Sequence, residues 1–299
     1  MRADSTMIEQ TVTPTTHDLG QFEVRRVLPK RERTMVGPFI FVDEFGPAQL
    51  DVGSAMDVRP HPHINLATVT WLFEGAIEHR DSLGTFSTIR PGTVNLMTAG
   101  KGIVHSERSP AEERAIGPKL YGIQTWLALP DGREEIDPAF EAVNDLPVIE
   151  DQCAKATIIM GELWGKRATT TTYADTIYAE IVLAPTGSLP IEVSADERAV
   201  MLVGGEASVD GQALGLYELS VLAPGRNMML SSDRGGRIML LGGEAFSTPR
   251  HAWWNFVSSD KERIRQASED WKAGRFPKVP GDAEEYIPLP EGRPKTVTD

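Results

Sequence analysis

The sequence predicts an all-β protein of two stacked β-barrels or jelly rolls, with one short helix near the C-terminus. Glycine and proline, 27 and 21 of the 299 residues, interrupt the whole chain and favour many short strands over long helices. The segments between them are rich in valine, isoleucine, threonine and aromatic residues, which favour strands. Two stretches, 73–94 and 203–227, also repeat one order of strands and turns, which predicts two barrels of the same type.

The turn signals of the first half locate its strands. Residues 64–79 are rich in strand-favouring side chains and predict two strands around a tight Glu-Gly bend. The sequence DSLG at 81–84 predicts a hairpin turn, and TFSTIR is its return strand. Residues 91–107 predict a turn, a strand, a glycine-rich bend and another strand, and 120–130 predict one strand closed by a proline. No amphipathic helix is expected before this point.

The composition changes between residues 131 and 150, which are acidic and contain two prolines. We interpret this segment as a connection between the two halves. Strand patterning resumes near residue 155 and continues to residue 243. The sequence therefore predicts an N-terminal domain over residues 1–134 and a C-terminal domain over residues 135–299.

One helix is predicted, within residues 258–276. Serine and aspartate at its start are N-cap candidates, and a glycine at 274 ends it. Ile264, Ala267 and Trp271 recur at intervals of three or four residues, which predicts one buried face. The proline-rich tail that follows is expected to be extended and to lie over a surface.

The composition excludes several classes of binding partner and site. A net charge of −13 argues against direct nucleic-acid binding, because phosphates would be repelled. The single cysteine, Cys153, excludes an internal disulfide and a cysteine-based zinc cluster, and it is expected to be an ordinary free thiol. The sequence has neither a secretory signal nor an apolar stretch near the roughly 20 residues that span a bilayer. We therefore expect a cytoplasmic protein without a membrane partner.

Two of the six histidines, His61 and His63, stand one residue apart in the sequence RPHPHINLAT. They indicate either a turn rich in histidine and proline or half of a metal site. In a strand, residues i and i+2 project to the same face, and His105 and Glu107 repeat this spacing downstream. Two neighbouring strands would then supply three imidazoles and one carboxylate. This donor set suits Fe, Mn, Ni, Cu or Zn and leaves positions open for substrate or O₂.

The remaining histidines are less favoured as metal ligands. His79 is an alternative ligand, although a polar residue at the start of the DSLG hairpin is the simpler interpretation. His17 and His251 stand in polar or aromatic loop contexts and are expected to be structural.

Several motifs together resemble the pirin family of the cupin superfamily. They are FVDEFGPAQL, PHPH, TVTWLFEG, HRDSLG, PGTVNLMTAGKGIVHSE and YGIQTWLALP, and HAWWNFVSSDKERIRQASEDWKAGRF resembles the closing segment of pirins. The resemblance is strongest over residues 25–130. It implies a bicupin with one divalent metal in the N-terminal barrel, typically Fe(II). The ligands of pirins map onto His61, His63, His105 and Glu107.

The resemblance implies more than one function. Some pirins are similar to quercetin 2,3-dioxygenases, which open a flavonol ring with O₂, and others are metal-dependent partners of transcriptional or metabolic proteins. Our first hypothesis is a dioxygenase acting on a small aromatic substrate, in which Glu107 also accepts the substrate proton. The second is a non-catalytic, metal- or redox-dependent regulator that binds a protein partner, and the third is an isomerase or another cupin activity. Residues 64–67, Ile-Asn-Leu-Ala, replace the Arg-Gly-Phe-Glu usual in pirins.

Overall fold

Short strands dominate the computed structural model, which describes residues 7–291. Strands account for 50% of these described residues and helices for 6%, so the predicted all-β class is confirmed. The helices are α1 (Ala111–Ile116) and α2 (Lys261–Lys272). The strands up to residue 150 are β1 (Ile8–Val12), β2 (Thr15–Asp18), β3 (Glu23–Leu28), β4 (Phe39–Gln49), β5 (Asp57–His63), β6 (Leu66–Gly75), β7 (Ile77–Asp81), β8 (Phe86–Ile89), β9 (Val94–Thr98), β10 (Ile103–Arg108), β11 (Lys119–Ala128), β12 (Ala139–Val143) and β13 (Val148–Glu150).

The strands after residue 150 are β14 (Ala154–Met160), β15 (Glu162–Leu163), β16 (Lys166–Arg167), β17 (Thr176–Leu183), β18 (Ser188–Ile191), β19 (Glu197–Gly205), β20 (Ser208–Val209), β21 (Gln212–Ala213), β22 (Leu219–Leu222), β23 (Met228–Ser231), β24 (Gly236–Gly243), β25 (His251–Trp253) and β26 (Phe256–Ser258). Neither α1 nor α2, the helices of residues 7–291, is long and apolar enough to cross a membrane.

The chain divides into two compact units, each made of several segments. The N-terminal unit contains residues 17–24 and 40–144 together with residues 247–291 of the described chain. The C-terminal unit contains residues 25–39 and 145–246 together with the segment that ends at residue 16. The predicted boundary at residue 134 places everything after it in one domain. The observed grouping differs because the segment after 247 packs on β5 and β6, which belong to the N-terminal unit.

The two units share one topology. In the N-terminal unit the strands run β9-β6-β11-β4 in one sheet and β5-β10-β7-β8 in the other. In the C-terminal unit the equivalent orders are β22-β19-β24-β17 and β18-β23-β20-β21. Each N-terminal strand in these orders corresponds to the strand 13 places later in the chain. The predicted internal repeat is therefore present as a repeat of strand order.

The structure contains two strands and one short helix that the sequence does not predict. The segment 131–150 contains β12 and β13, which occupy edge positions in their sheets and pair with β9 and β14. Edge strands are paired on one side only, so an acidic sequence after a proline is compatible with them. The six-residue helix α1 buries no side chain, and it therefore leaves no apolar periodicity for a sequence pattern to detect.

Helix α2 is confirmed and is shorter than the predicted segment. The Asp260 side chain accepts a hydrogen bond from the Glu262 backbone N–H, which begins the helix, and Gly274 has a φ of 66° just beyond its end. Ile264 and Ala267 are buried, as the spacing predicts. They form an apolar cluster with Ile64 and Phe256, which connects the helix to the strand that follows the PHPH sequence.

Candidate metal centre

The candidate ligands lie on two neighbouring antiparallel strands. In the pairing of β5 with β10, His61 is opposite His105 and His63 is opposite Ile103. The regular pairing is interrupted by a bulge between His105 and Glu107. The i, i+2 spacing therefore places His61, His63 and His105 on one face of this sheet, as the sequence pattern requires.

Three imidazoles converge in the interior. One ring nitrogen from each of His61, His63 and His105 lies within 4.8 Å of the others, and all three residues are buried. The Nε2 atoms of His63 and His105 are 3.1 Å apart. Two ligands at right angles, each roughly 2.1 Å from a metal, would be about 3.0 Å apart, so this distance suits adjacent ligands of one cation.

Hydrogen bonds at the other ring nitrogen prepare two of the imidazoles for a metal. His61 donates through Nδ1 to the Arg59 carbonyl, and His63 donates through Nδ1 to the Asn255 carbonyl, both at 2.9 Å. Because a carbonyl oxygen only accepts, each Nδ1 carries the proton and each Nε2 presents a lone pair when the ring is neutral.

Burial keeps these rings neutral. It lowers the pKa of His61 to about 4 and the pKa values of His63 and His105 well below the ordinary value. A neutral imidazole is the form that binds a metal. The buried position, the tautomers and the nitrogen separation therefore all fit a first-row divalent cation.

Glu107, the fourth predicted ligand, lies outside the three-histidine cluster found among the described residues. Its side chain is buried, and its Oε1 atom accepts a hydrogen bond from Gln124 Nε2 at 2.7 Å. Burial raises the pKa of Glu107, against the opposing effects of His79 and Gln124. Glu107 and Gln124 line a cavity of about 110 Å³ whose walls include Phe22, Phe45 and other largely apolar residues.

The other histidines do not belong to the cluster. His79 is buried on β7 and contacts His105 through the two Nδ1 atoms, 3.4 Å apart. His17 is exposed on β2, and His251 lies on β25. Asp81 is not among the predicted site residues; it is fully buried and accepts a hydrogen bond from His79 Nε2 at 3.0 Å. Its signal was the i, i+2 spacing of His79 and Asp81, the same spacing that identified the ligands.

The unusual segment 64–67 packs into the protein core. Ile64 is fully buried against Phe256 and the α2 side chain Ile264. Asn65 has a φ of 57°, in the left-handed region that asparagine tolerates better than most residues. Its Nδ2 atom donates to the Glu134 carbonyl at 2.8 Å and to Glu135 Oε1 at 2.7 Å. The asparagine thus makes side-chain contacts at this left-handed position that a glycine would lack.

The C-terminal unit carries hydrocarbon side chains at the corresponding positions. In its pairing of β18 with β23, Leu189 is opposite Leu230 and Ile191 is opposite Met228. This register repeats that of β5 with β10, so Leu189, Ile191 and Leu230 stand where the N-terminal unit has its three histidines. All three are buried in the core cluster of the C-terminal unit.

Comparison with known proteins identifies the family. The Pirin family model matches residues 21–127, and the model of the Pirin C-terminal cupin domain matches residues 178–277. The chain belongs to the pirin family. The expected bicupin fold is thereby confirmed.

The relatives of this pirin match nearly its whole length. A pirin-like protein from Caulobacter vibrioides is 46% identical over 292 residues, covering 95% of this chain and 100% of the relative. A Pseudomonas aeruginosa protein with the provisional name quercetin 2,3-dioxygenase is 38% identical and covers 85% and 80% of the two chains. The crystal structure of quercetin 2,3-dioxygenase from Acinetobacter baumannii is 33% identical, covers 96% of this pirin and 97% of its own chain, and has a TM-score of 0.88.

Proposed function

We propose that this pirin is a metal-dependent dioxygenase of the quercetin 2,3-dioxygenase type, which opens the ring of a small aromatic enol with O₂. The observation that carries the proposal is the buried cluster of His61, His63 and His105, with two Nε2 atoms at the spacing of adjacent metal ligands. The similarity to a crystallised quercetin 2,3-dioxygenase, over almost the full length of both chains, supports the reaction class.

We assign the metal to these three histidines, with Glu107 as the fourth ligand and Fe(II) as the physiological ion. Three nitrogen donors and one oxygen donor suit iron and equally the other first-row cations Mn, Ni, Cu and Zn. When bound, the metal supplies a Lewis acid and a centre that reacts with O₂. The exposed free thiol of Cys153 suits a reducing compartment, so we place the reaction in the cytoplasm.

Glu107 is the proposed general base for the enol proton. Its side chain is buried and lines the cavity that we propose for the substrate, which places a carboxylate beside the enol. The hydrogen bond from Gln124 Nε2 to Oε1 holds the carboxylate in place.

The cavity beside Glu107 provides the substrate pocket in this proposal. Its volume of about 110 Å³ is below the roughly 300–1,000 Å³ of pockets that enclose a drug-sized ligand. We therefore infer that one ring of the substrate enters while the remainder stays at the mouth near Leu19 and Phe22. None of residues 64–67 lines this cavity, so the departure from the usual pirin sequence leaves its walls unchanged.

The test is aerobic incubation of Fe(II)-loaded protein with quercetin. We expect the flavonol absorbance to bleach and oxygen uptake to parallel the loss. His61→Ala should abolish both, and His17→Ala, a substitution at an exposed histidine on β2, should change neither. Bleaching at the same rate by His61→Ala would contradict the proposal. Binding to a protein partner stays a separate hypothesis, for which the structure supplies no specific observation.

A further inference from the structure

A row of buried polar side chains, formed by His79 and Asp81 on β7, lies next to His105 on β10. Strand β10 lies between β5 and β7, and in its pairing with β7, Asp81 is opposite His105 and His79 is opposite Glu107. His79 is 3% exposed and Asp81 is 0% exposed. Phe140 stacks on the His79 ring, with centroids 4.7 Å apart, and holds it in one plane. None of this arrangement is required to build the β-barrel, since hydrocarbon side chains fill the corresponding region of the C-terminal unit.

The hydrogen bonds of this row all point toward Asp81, whose carboxylate is the acceptor. Asp81 Oδ1 accepts from the backbone N–H groups of Leu83 and Thr85, at 2.9 and 3.1 Å. Asp81 Oδ2 accepts from His79 Nε2 at 3.0 Å. Although burial acts in the opposite direction, the hydrogen bonds from His79 and Thr85 hold the pKa of Asp81 below its ordinary value. Because all three of these groups are donors, Asp81 is the acceptor in each of these hydrogen bonds.

The hydrogen bond from His79 to Asp81 determines the direction of the hydrogen bond between His79 and His105. A neutral imidazole has one donor and one acceptor nitrogen. Since His79 donates through Nε2, the Nδ1 atom of the neutral ring is the acceptor, and it faces His105 Nδ1 at 3.4 Å. His105 Nδ1 must then carry the proton, which leaves the His105 Nε2 lone pair facing His63 Nε2.

We propose that Asp81 and His79 are positioning residues that hold the proton of His105 on Nδ1 and so present its Nε2 atom to the metal. The inference rests on the metal site of the proposed function. In this proposal His79 orients His105 through its Nδ1 atom. The backbone carbonyls of Arg59 and Asn255 do the same for His61 and His63, respectively. Each imidazole of the cluster would thus be oriented through Nδ1. Removing such an outer contact typically weakens metal binding about 10–100-fold.

Asp81→Asn is the most direct test. It reverses the hydrogen bonds between residue 81, His79 and His105, and it keeps the size of the side chain at position 81. The amide oxygen of asparagine is required by the backbone N–H groups of Leu83 and Thr85, so its NH₂ group must face His79. His79 then accepts through Nε2 and carries its proton on Nδ1. That proton points at His105 Nδ1, which favours placing the His105 proton on Nε2, where it blocks the metal.

The matched control is Asp151→Asn. Asp151 also accepts two backbone N–H groups through one oxygen, from Cys153 and Ala154, and it is an exposed residue of the C-terminal unit. We expect Zn(II) affinity, measured by chelator competition, to fall about 10–100-fold in Asp81→Asn and to stay unchanged in Asp151→Asn. His79→Phe should show the same loss, and His79→Gln should restore most of the affinity, because its amide can donate to Asp81 and accept from His105.

Nitrogen-15 NMR of the imidazoles supplies a readout that a purely structural role would not change. At about pH 8, we expect His79 of the wild-type protein to be protonated on Nε2, and His79 of Asp81→Asn on Nδ1. Equal Zn(II) affinities in Asp81→Asn and Asp151→Asn, or an Nδ1-protonated His79 in the wild type, would overturn the proposal. Should Asp81→Asn fail to fold, the comparison of His79→Gln with His79→Phe decides. Failure of the wild-type protein to bind Zn(II) would instead refute the metal site itself.

Discussion

His63 Nδ1 donates to the backbone carbonyl of Asn255, at 2.9 Å and 192 positions further along the chain. This hydrogen bond connects a candidate metal ligand to the segment between β25 and β26, which belongs to the same compact unit. Since the carbonyl holds the imidazole in the tautomer that binds a metal, the C-terminal segment takes part in building the centre. It also contributes the buried Phe256, which packs directly on Ile64, the residue after His63.

His63→Ala should abolish metal retention with little loss of the fold. The substitution removes one of three converging imidazoles, whereas the surrounding barrel stays packed. We expect metal analysis of the purified variant to find no bound ion, and circular dichroism to match the wild type. The exposed His17→Ala is the control and should retain metal. Collapse of the barrel in His63→Ala would show that the histidine is a core residue.

Phe256→Ala should weaken both the fold and the metal site. Truncating a fully buried phenylalanine typically lowers the free energy of unfolding by about 3–5 kcal/mol. Because Asn255 is its neighbour, the carbonyl that orients His63 should shift as the cavity collapses. Urea unfolding and Zn(II) competition measure the two effects. Phe256→Leu retains more of the packing, so its losses should be smaller in both measurements. An unchanged Zn(II) affinity in a clearly destabilised Phe256→Ala would contradict this coupling.

Glu107→Gln should separate turnover from metal binding. The amide cannot accept the enol proton, and loss of a positioned base typically costs about 10²–10⁴-fold in rate. The three imidazoles remain, so the variant should still retain the metal, although less tightly. Quercetin turnover and metal content measured on the same preparation test both points. Wild-type turnover in Glu107→Gln would rule out this residue as the base.

Asn65 allows backbone strain and hydrogen bonding to be separated. Asn65→Ala places an alanine at a φ of 57° and loses the three Nδ2 hydrogen bonds, so we expect a loss of about 2–4 kcal/mol in the free energy of unfolding. Asn65→Gly loses the same hydrogen bonds without the strain and should be more stable than Asn65→Ala by about 1 kcal/mol. Urea unfolding measures both. Equal stabilities would mean that the left-handed backbone carries no cost here.

Protonation of Asp282 at low pH should release the segment that follows α2. Arg108 donates to both carboxylate oxygens of Asp282, at 2.7 and 2.8 Å, and these hydrogen bonds lower the pKa of Asp282. A lowered folded-state pKa means that the ionised carboxylate stabilises the fold above its ordinary pKa of 3.8, and that this contribution is lost as pH falls through the lower folded-state value.

The fluorescence of Trp271, whose Nε1 atom donates to the Ile287 carbonyl at 3.0 Å, should report this release. Asp282→Asn should lower the Tm at neutral pH and flatten the acid-dependent decline. If the wild type and Asp282→Asn decline in parallel, another carboxylate is responsible.

Local patterns in the sequence predicted the fold class and the three-histidine cluster. Alternation along a strand puts His61 and His63 on one face whatever the rest of the chain does, and glycine-rich turns separate the strands wherever they occur. The repeated order of turns likewise predicted the repeated strand order of the two units. These features depend on residues close together in the chain, where steric and hydrogen-bonding preferences act directly.

The tertiary structure decided which distant residues complete the site. No local pattern shows that β7 lies beside β10, so the row from Asp81 through His79 to His105 appears only when the sheet is formed. The contact of Asn255 with His63 and the edge pairing of β12 are also non-local. Such contacts depend on burial and on the register of strands far apart in sequence, and these are set by the packing of the whole unit.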